Sequence, residues 1–259
     1  MKRILRKILS LAVVALLIVY LTFTSSFVDK KEQEVMCNAL RISICDSAVN
    51  RFVRVSDIRS LLDKEERKLI NMPLYQIDTY DLEQLLNARS VIKNAEVFPS
   101  IDGALHIKVY QRRPIIRLQT RSGNFYIDES GYIFPLSVIY TSYVPIATGN
   151  IPMSAGSNHR GEIPESDKFL QQLYEFAVFL QSHDFWQAQV LQIHVINARE
   201  VELVPRIGNQ IIKLGGLDNV DYKLEKLYAF YKKAMPVEGW NKYRIIDLRF
   251  SNQVVCTLK

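Results

Sequence analysis

Residues 91–115 read VIKNAEVFPSIDGALHIKVYQRRPI, and their pattern decides the architecture. The run VIKNAEVF is closed by Pro99, and the pair Asp102-Gly103 supplies turn chemistry. Leu105, Ile107 and Val109 then alternate with polar residues. Two runs joined by such a turn predict a β-hairpin. Pro114 cannot donate a hydrogen bond to a central ladder, so Arg112-Arg113-Pro114 is expected at a junction between two folded parts.

Upstream of the hairpin, residues 39–44 (ALRISI) alternate as a strand does, with Leu40, Ile42 and Ile44 on one face. Ser56 is the expected cap of a helix carrying Ile58, Leu61, Leu62 and Leu69, with Asp57 at the favourable end of the dipole. An extended link is expected over 73–77. Asp78 or Thr79 then caps a second helix with Leu82, Leu85 and Leu86 on one face. The order strand, helix, helix, strand, strand predicts a small sheet covered by two helices.

Downstream, short strands are expected at 115–119, 125–128 and 132–134, separated by Ser122-Gly123-Asn124 and Ser130-Gly131. Residues 145–164 hold Gly149, Pro152, Gly156, Ser157 and Gly161 and read as a long surface loop. A helix over 167–181 is expected to bury Leu170, Leu173, Phe176, Ala177 and Leu180. Strands at 190–196, 201–204 and 210–214 follow, then a helix over 219–235 with Val220, Leu224, Leu227 and Tyr231 inward. The chain closes with strands at 244–250 and 253–258 joined by Ser251-Asn252. The fold class is α+β.

The charge is concentrated at one end. Of the net +6, Lys2, Arg3, Arg6 and Lys7 carry four, leaving +2 for the other residues, too little for a general phosphate-binding face. No nucleic acid is expected as a partner. Residues 8–28, ILSLAVVALLIVYLTFTSSFV, contain no charged residue, and about 20 apolar residues cross a hydrocarbon core as a helix. The four leading cations predict a cytoplasmic N-terminus and an exported body. Ser25 and Ser26 admit a cleaved signal peptide. Bulky Phe23 and Phe27 make a poor small-x-small site, so a retained single-pass anchor is the expectation.

Little in the chain points to catalysis. His106, His159, His183 and His194 lack metal-ligand spacing, and Cys37, Cys45 and Cys256 are expected as buried free thiols. Ser90-Val91-Ile92-Lys93 matches the S-x-x-K of penicillin-binding proteins, the motif that would make this a membrane-anchored cell-wall enzyme. Ser166-Asp167-Lys168 lacks the Asn of the companion motif, no K-T-G occurs, and Ser90 falls where a helix should pass into a strand. The expectation is a non-enzymatic protein with no catalytic residue, metal, cofactor or small-molecule substrate. The terminal strand, ending QVVCTLK, instead offers an edge that another chain could extend.

These features together resemble the bacterial FtsQ/DivIB family of cell-division proteins. Ile92, Ala95, Val97, Pro99, Leu105, Ile107, Val109, Arg112 and Pro114 fit the family's first exported module, a POTRA domain, with Pro99 earlier than usual. Ile127-Asp128-Glu129-Ser130-Gly131-Tyr132-Ile133-Phe134 is similar to its "V-D-x-x-G-x-x-F" hairpin. KLGGLDNVDYKLEKL (213–227) and IIDLRFSNQVV (245–255) are similar to its C-terminal signatures, with Phe250 where Tyr is common. The resemblance implies a cytoplasmic tail at 1–7, a transmembrane helix at 8–28, a POTRA-like domain at 37–113 and a β domain at 114–259. It also implies a place in the inner membrane at the division septum, linking early and late divisome components from the periplasm. The implied partners are FtsB- and FtsL-like proteins, bound by strand addition through Asp247, Arg249, Phe250, Gln253, Val254, Val255 and Thr257. A POTRA-bearing secretion or transport component is the other reading of this module. Such systems usually carry several POTRA modules or a β-barrel, and neither fits in 259 residues.

Overall fold

The computed structural model describes residues 12–22, 35–48, 50–153 and 159–259. Residues 12–22 are helical and exposed. The remainder of the expected span, 8–11 and 23–28, and the cations Lys2, Arg3, Arg6 and Lys7 lie outside the described residues. Among the described residues, no helix is long and apolar enough to cross a membrane. The described body divides into two compact units. The first ends at Gln111; the second comprises Asn50–Phe52 and Arg112–Lys259.

The first unit contains β1 (Ala39–Ile44), α1 (Val55–Leu69), a 3-10 turn at Leu74–Gln76, α2 (Thr79–Asn87), β2 (Ile92–Pro99) and β3 (Ala104–Gln111). Its sheet has the order β1-β3-β2, with β1 parallel and β2 antiparallel to β3. The hairpin forms as its pattern requires: Leu105, Ile107 and Val109 are fully buried, and Gly103 turns the chain at φ 83°. A side chain at Gly103 would run into Asn38 and the Met36 carbonyl, so only glycine fits this turn. Asp78 caps α2 by accepting the Asp81 N–H.

Several local expectations are corrected here. Helix α1 starts at Val55, ahead of Ser56. The carboxylate of Asp57 accepts the Arg54 N–H at 2.9 Å, so Asp57 rather than Ser56 closes the helix end. The link over 73–77 tightens into the 3-10 turn instead of remaining extended. Leu85 is exposed, because Leu82 and Leu86 lie four residues apart on the buried face and leave it at the margin. Cys45 is exposed as well, past the end of β1, whereas Cys37 is buried and Cys256 half-buried. Desolvation raises the pKa of both Cys37 and Cys256 above the ordinary thiol value.

The second unit contains β4 (Pro114–Thr120), β5 (Gly123–Asp128), β6 (Tyr132–Pro135), β7 (Ile146–Gly149), β8 (Gly161–Glu162), α3 (Lys168–Ser182), α4 (Asp184–Gln189), β9 (Val190–Asn197), β10 (Glu200–Pro205), β11 (Ile211–Gly215), α5 (Val220–Lys233), α6 (Met235–Glu238), β12 (Tyr243–Asp247) and β13 (Val255–Leu258). Its ten strands form one sheet in the order β13-β12-β11-β10-β9-β7-β4-β5-β6-β8. The expected loop over 145–164 is corrected most strongly. Residues 146–149 form β7, a central strand parallel to both β4 and β9. Four residues that follow Pro145 and end in a glycine are too short to display an alternating pattern. Gly149 is required at the strand's end: its φ is 94°, and a Cβ there would lie 2.3 Å from the Val195 carbonyl oxygen.

Two rows of residues run across this sheet and explain its packing. Leu118, Ala147, Ile193, Leu203, Ile212, Ile246 and Cys256 are successive register partners, and all but Cys256 are buried. They share one core with Leu170, Leu173, Phe176, Ala177 and Leu180 of α3 and Leu224, Leu227 and Tyr231 of α5. Thr148, His194, Glu202, Lys213, Asp247 and Val255 form a second row, also by register. Apolar and polar rows fall to opposite faces because successive side chains alternate. Pro114 opens β4, where a missing N–H costs the ladder least.

Candidate functional site

The terminal hairpin forms one edge of the ten-stranded sheet. β13 pairs with β12 through Asp247↔Val255, Ile246↔Cys256, Ile245↔Thr257 and Tyr243↔Leu258. It is shorter than the expected 253–258 strand, and β12 stops at Asp247 rather than at Phe250. The residues between them are turned by Asn252, whose φ of 58° no strand accommodates. Gln253 and Val254 therefore precede the strand. Val254 packs on the core, while Gln253, Val255 and Thr257 are exposed. Phe250 is 44% exposed and is not a core residue.

The direction of each amide in β13 follows from two hydrogen bonds. Leu248 N–H donates to the Lys213 carbonyl on β11 at 2.9 Å. Because N–H groups alternate along a strand, those of Asp247 and Ile245 turn to the other side, toward β13. Their partners Val255 and Thr257 exchange bonds with them. Lys259 N–H, two residues beyond Thr257, donates to Lys242 at 3.2 Å and agrees in parity. The Cys256 N–H and C=O therefore point away from the sheet, to the open side.

Two other edges in the molecule are less accessible. On β2, the outer strand of the first sheet, the Val97 N–H is taken by the Glu83 carboxylate at 2.8 Å. β8, at the far end of the ten-stranded sheet, has only two residues. Edge strands protected by side chains or shortness resist pairing, whereas β13 has four residues and an outward amide in its middle.

Charged and polar side chains hold the hairpin in place. Arg249 donates from Nε to Asp247 Oδ1 at 2.9 Å and from its terminal nitrogen to Oδ2 at 2.6 Å, and lies 3.5 Å from Glu200. Asp247 and Arg249, both expected to face a partner, are thus bonded to each other. Burial pushes the Asp247 carboxyl up, but the hydrogen bonds and charge of Arg249, with Lys213 beyond, outweigh it and hold the carboxyl below its ordinary 3.8. A depressed carboxyl contributes stability that is present above its unfolded value and lost as pH falls through its folded one. Asp247→Asn is therefore expected to flatten the loss of thermal stability below about pH 4, where the wild-type pair titrates. A melting series from neutral to acid pH checks this. An unchanged acid limb would mean the pair contributes nothing.

Two residues on α5 that sequence reasoning missed brace the connection between the strands. Lys226 Nζ donates to the Leu248 and Phe250 carbonyls, at 3.1 and 2.6 Å. Tyr222 OH donates to Asn252 Oδ1 at 2.7 Å and accepts the Asn252 N–H at 3.1 Å. KLGGLDNVDYKLEKL already contained both, yet their partners lie more than twenty residues away. Lys226→Met is expected to lower stability by about 1 kcal/mol and to speed amide exchange over 249–254 with α3 unaffected.

Among the described residues, no group of three or more His, Cys, Asp or Glu is placed to hold a metal. The S-x-x-K residues are split between elements: Ser90 lies in the turn before β2 and Lys93 in β2, so no helix presents them together. Thr148 Oγ1, His194 Nδ1 and Gln192 Nε2 are linked by hydrogen bonds on the polar face, at 3.2 and 2.7 Å, in an open groove, where Gln192 donates to the Thr148 hydroxyl.

A βααββ unit followed by an amphipathic sheet with an open terminal strand defines a POTRA-bearing class of protein, and residues 35–110 match the POTRA-like domain. Residues 113–257, more than half the chain, match the model described as FtsQ/DivIB, C-terminal related. The chain belongs to the FtsQ/DivIB family, a non-enzymatic family of cell-division proteins. The comparison with curated proteins returns no match.

Proposed function

We propose that this chain is a single-pass division protein whose exported body joins other division proteins by lending them a strand edge. Residues 1–7 are the cytoplasmic tail and 8–28 the anchor, with the POTRA-like and β domains in the periplasm at the septum. FtsB- and FtsL-like proteins are the partners, added as a strand beside β13, and the chain links early and late components without catalysis. The observation that supports this most is the outward Cys256 amide on the edge strand β13. Backbone pairing supplies affinity there, while Val255 and Thr257 beside it supply alternate side chains for selectivity.

Depletion of the protein tests the reading in cells. Filaments without constrictions support it, and normally dividing cells overturn it. A reporter active only outside the cytoplasm, fused after Lys259, tests the topology. Activity is expected, and it should fall when Lys2, Arg3, Arg6 and Lys7 are neutralised together.

A further inference from the structure

One end of the first unit gathers the start of β1, the link before α2 and the tip of the β2–β3 hairpin. Leu74 N–H donates to Val35 O at 3.0 Å and Cys37 N–H to Met72 O at 2.8 Å. Asn38 donates from its N–H to Gly103 O and from its side chain to Asp102 O, both at 2.8 Å. Three large side chains are exposed on this end: Met36 at 50%, Tyr75 at 59% and Ile101, at the hairpin tip, at 97%. Isolated surface apolar residues are ordinary, but three converging on one end form a patch that asks for a cover. The acid beside the tip is neutralised locally. Asp102 accepts the Ala104 N–H and pairs with Arg41 at 2.9 Å, so this end presents no uncompensated negative charge at the hairpin.

The length of chain before this end says what covers it. Val35 follows the uncharged stretch 8–28 after only six residues, 29–34. Seven peptide steps reach at most about 25 Å even when fully extended. An end so tethered to a spanning segment stays within about 25 Å of the bilayer surface. We propose that it is a membrane seat: Ile101 and Met36 enter the boundary between headgroups and acyl chains, and Tyr75 lies at headgroup level, where tyrosine is favoured. This rests on the anchored reading above and adds a lipid contact made by the folded unit itself. It would fix the unit's standing relative to the bilayer instead of leaving it on a loose tether.

The test uses the full chain in vesicles of phosphatidylethanolamine and phosphatidylglycerol, with and without brominated acyl chains. Ile101→Trp is compared with Arg89→Trp, an exposed position in the link before β2, at the end of the hairpin away from its tip. Wild-type emission from Trp186 and Trp240 is subtracted. The Ile101→Trp indole is expected to be blue-shifted and quenched by about half in brominated lipid, since interfacial side chains sit ~5–10 Å into the boundary. The Arg89→Trp indole should be unaffected. Either membrane orientation gives the same result, because each places the unit beside a leaflet. A chain that floats with the vesicles while the Ile101→Trp indole stays unquenched overturns the seat and leaves the anchor intact. A chain that does not float with them overturns both.

Discussion

Cys256→Pro is expected to abolish or severely weaken capture of an FtsB-like partner while leaving the fold intact. The substitution removes the one amide in the middle of β13 that points to the open side. A carbonyl on the added strand then loses its donor at a cost of roughly 1–3 kcal/mol, or about five- to a hundredfold in affinity. The proline ring also blocks close approach. Stability should change little, because proline is tolerated on edge strands where the missing N–H faced solvent. Val255→Pro is the informative contrast. Its amide faces Asp247 on β12, so stability and binding should fall together. Binding assays beside thermal melts of both variants separate the two outcomes. Full capture by a folded Cys256→Pro protein would move the partner to another surface.

The largest expected effect on folding belongs to Asp128→Ala. Asp128 has no exposed surface, and its Oδ2 lies 2.8 Å from the Arg112 guanidinium, itself only 12% exposed. Its other oxygen accepts the Ser130 N–H, the Ser130 hydroxyl and the Tyr132 N–H, at 2.8, 2.6 and 3.0 Å. The carboxylate thereby holds the β5–β6 turn and the entry to β4 together, and Arg112 lies over the Tyr132 ring at 3.4 Å. Truncation takes the carboxylate away from the largely buried Arg112 guanidinium and from three further donors. Breaking a buried pair from one side costs about 3–5 kcal/mol, which for a unit of this size lowers Tm by roughly 10 °C or more. Calorimetry of the variant checks this. A loss below about 1 kcal/mol would put the pair among exposed, weakly contributing ones.

The match between sequence and structure follows from what each kind of pattern reports. Leu105, Ile107 and Val109, and the set from Leu170 to Leu180, were legible because alternation and helical spacing record which face is buried. β7 was not, since IATG is too short to alternate, and Pro145 before it and Gly149 at its end imitate a loop. The Ser56 cap gave way to Asp57 because both residue types close helix ends and only the observed hydrogen bond separates them. At the terminal edge, the residue types were legible but their assignments were not. Parity within β13 does not reveal which amides face β12, and nothing local in Asp247 and Arg249 marks them as bonded to each other. Lys226 and Tyr222 brace the 248–252 connection across a distance in sequence that no local pattern spans.

Residue-resolved amide exchange on the full chain, alone and with the periplasmic segment of an FtsB-like protein, measures the strand edge directly. The structure predicts slowed exchange at Cys256 on binding, with Val255 and Thr257, already bonded to β12, changing little. Bound partner with unchanged exchange at Cys256 would contradict strand addition at β13.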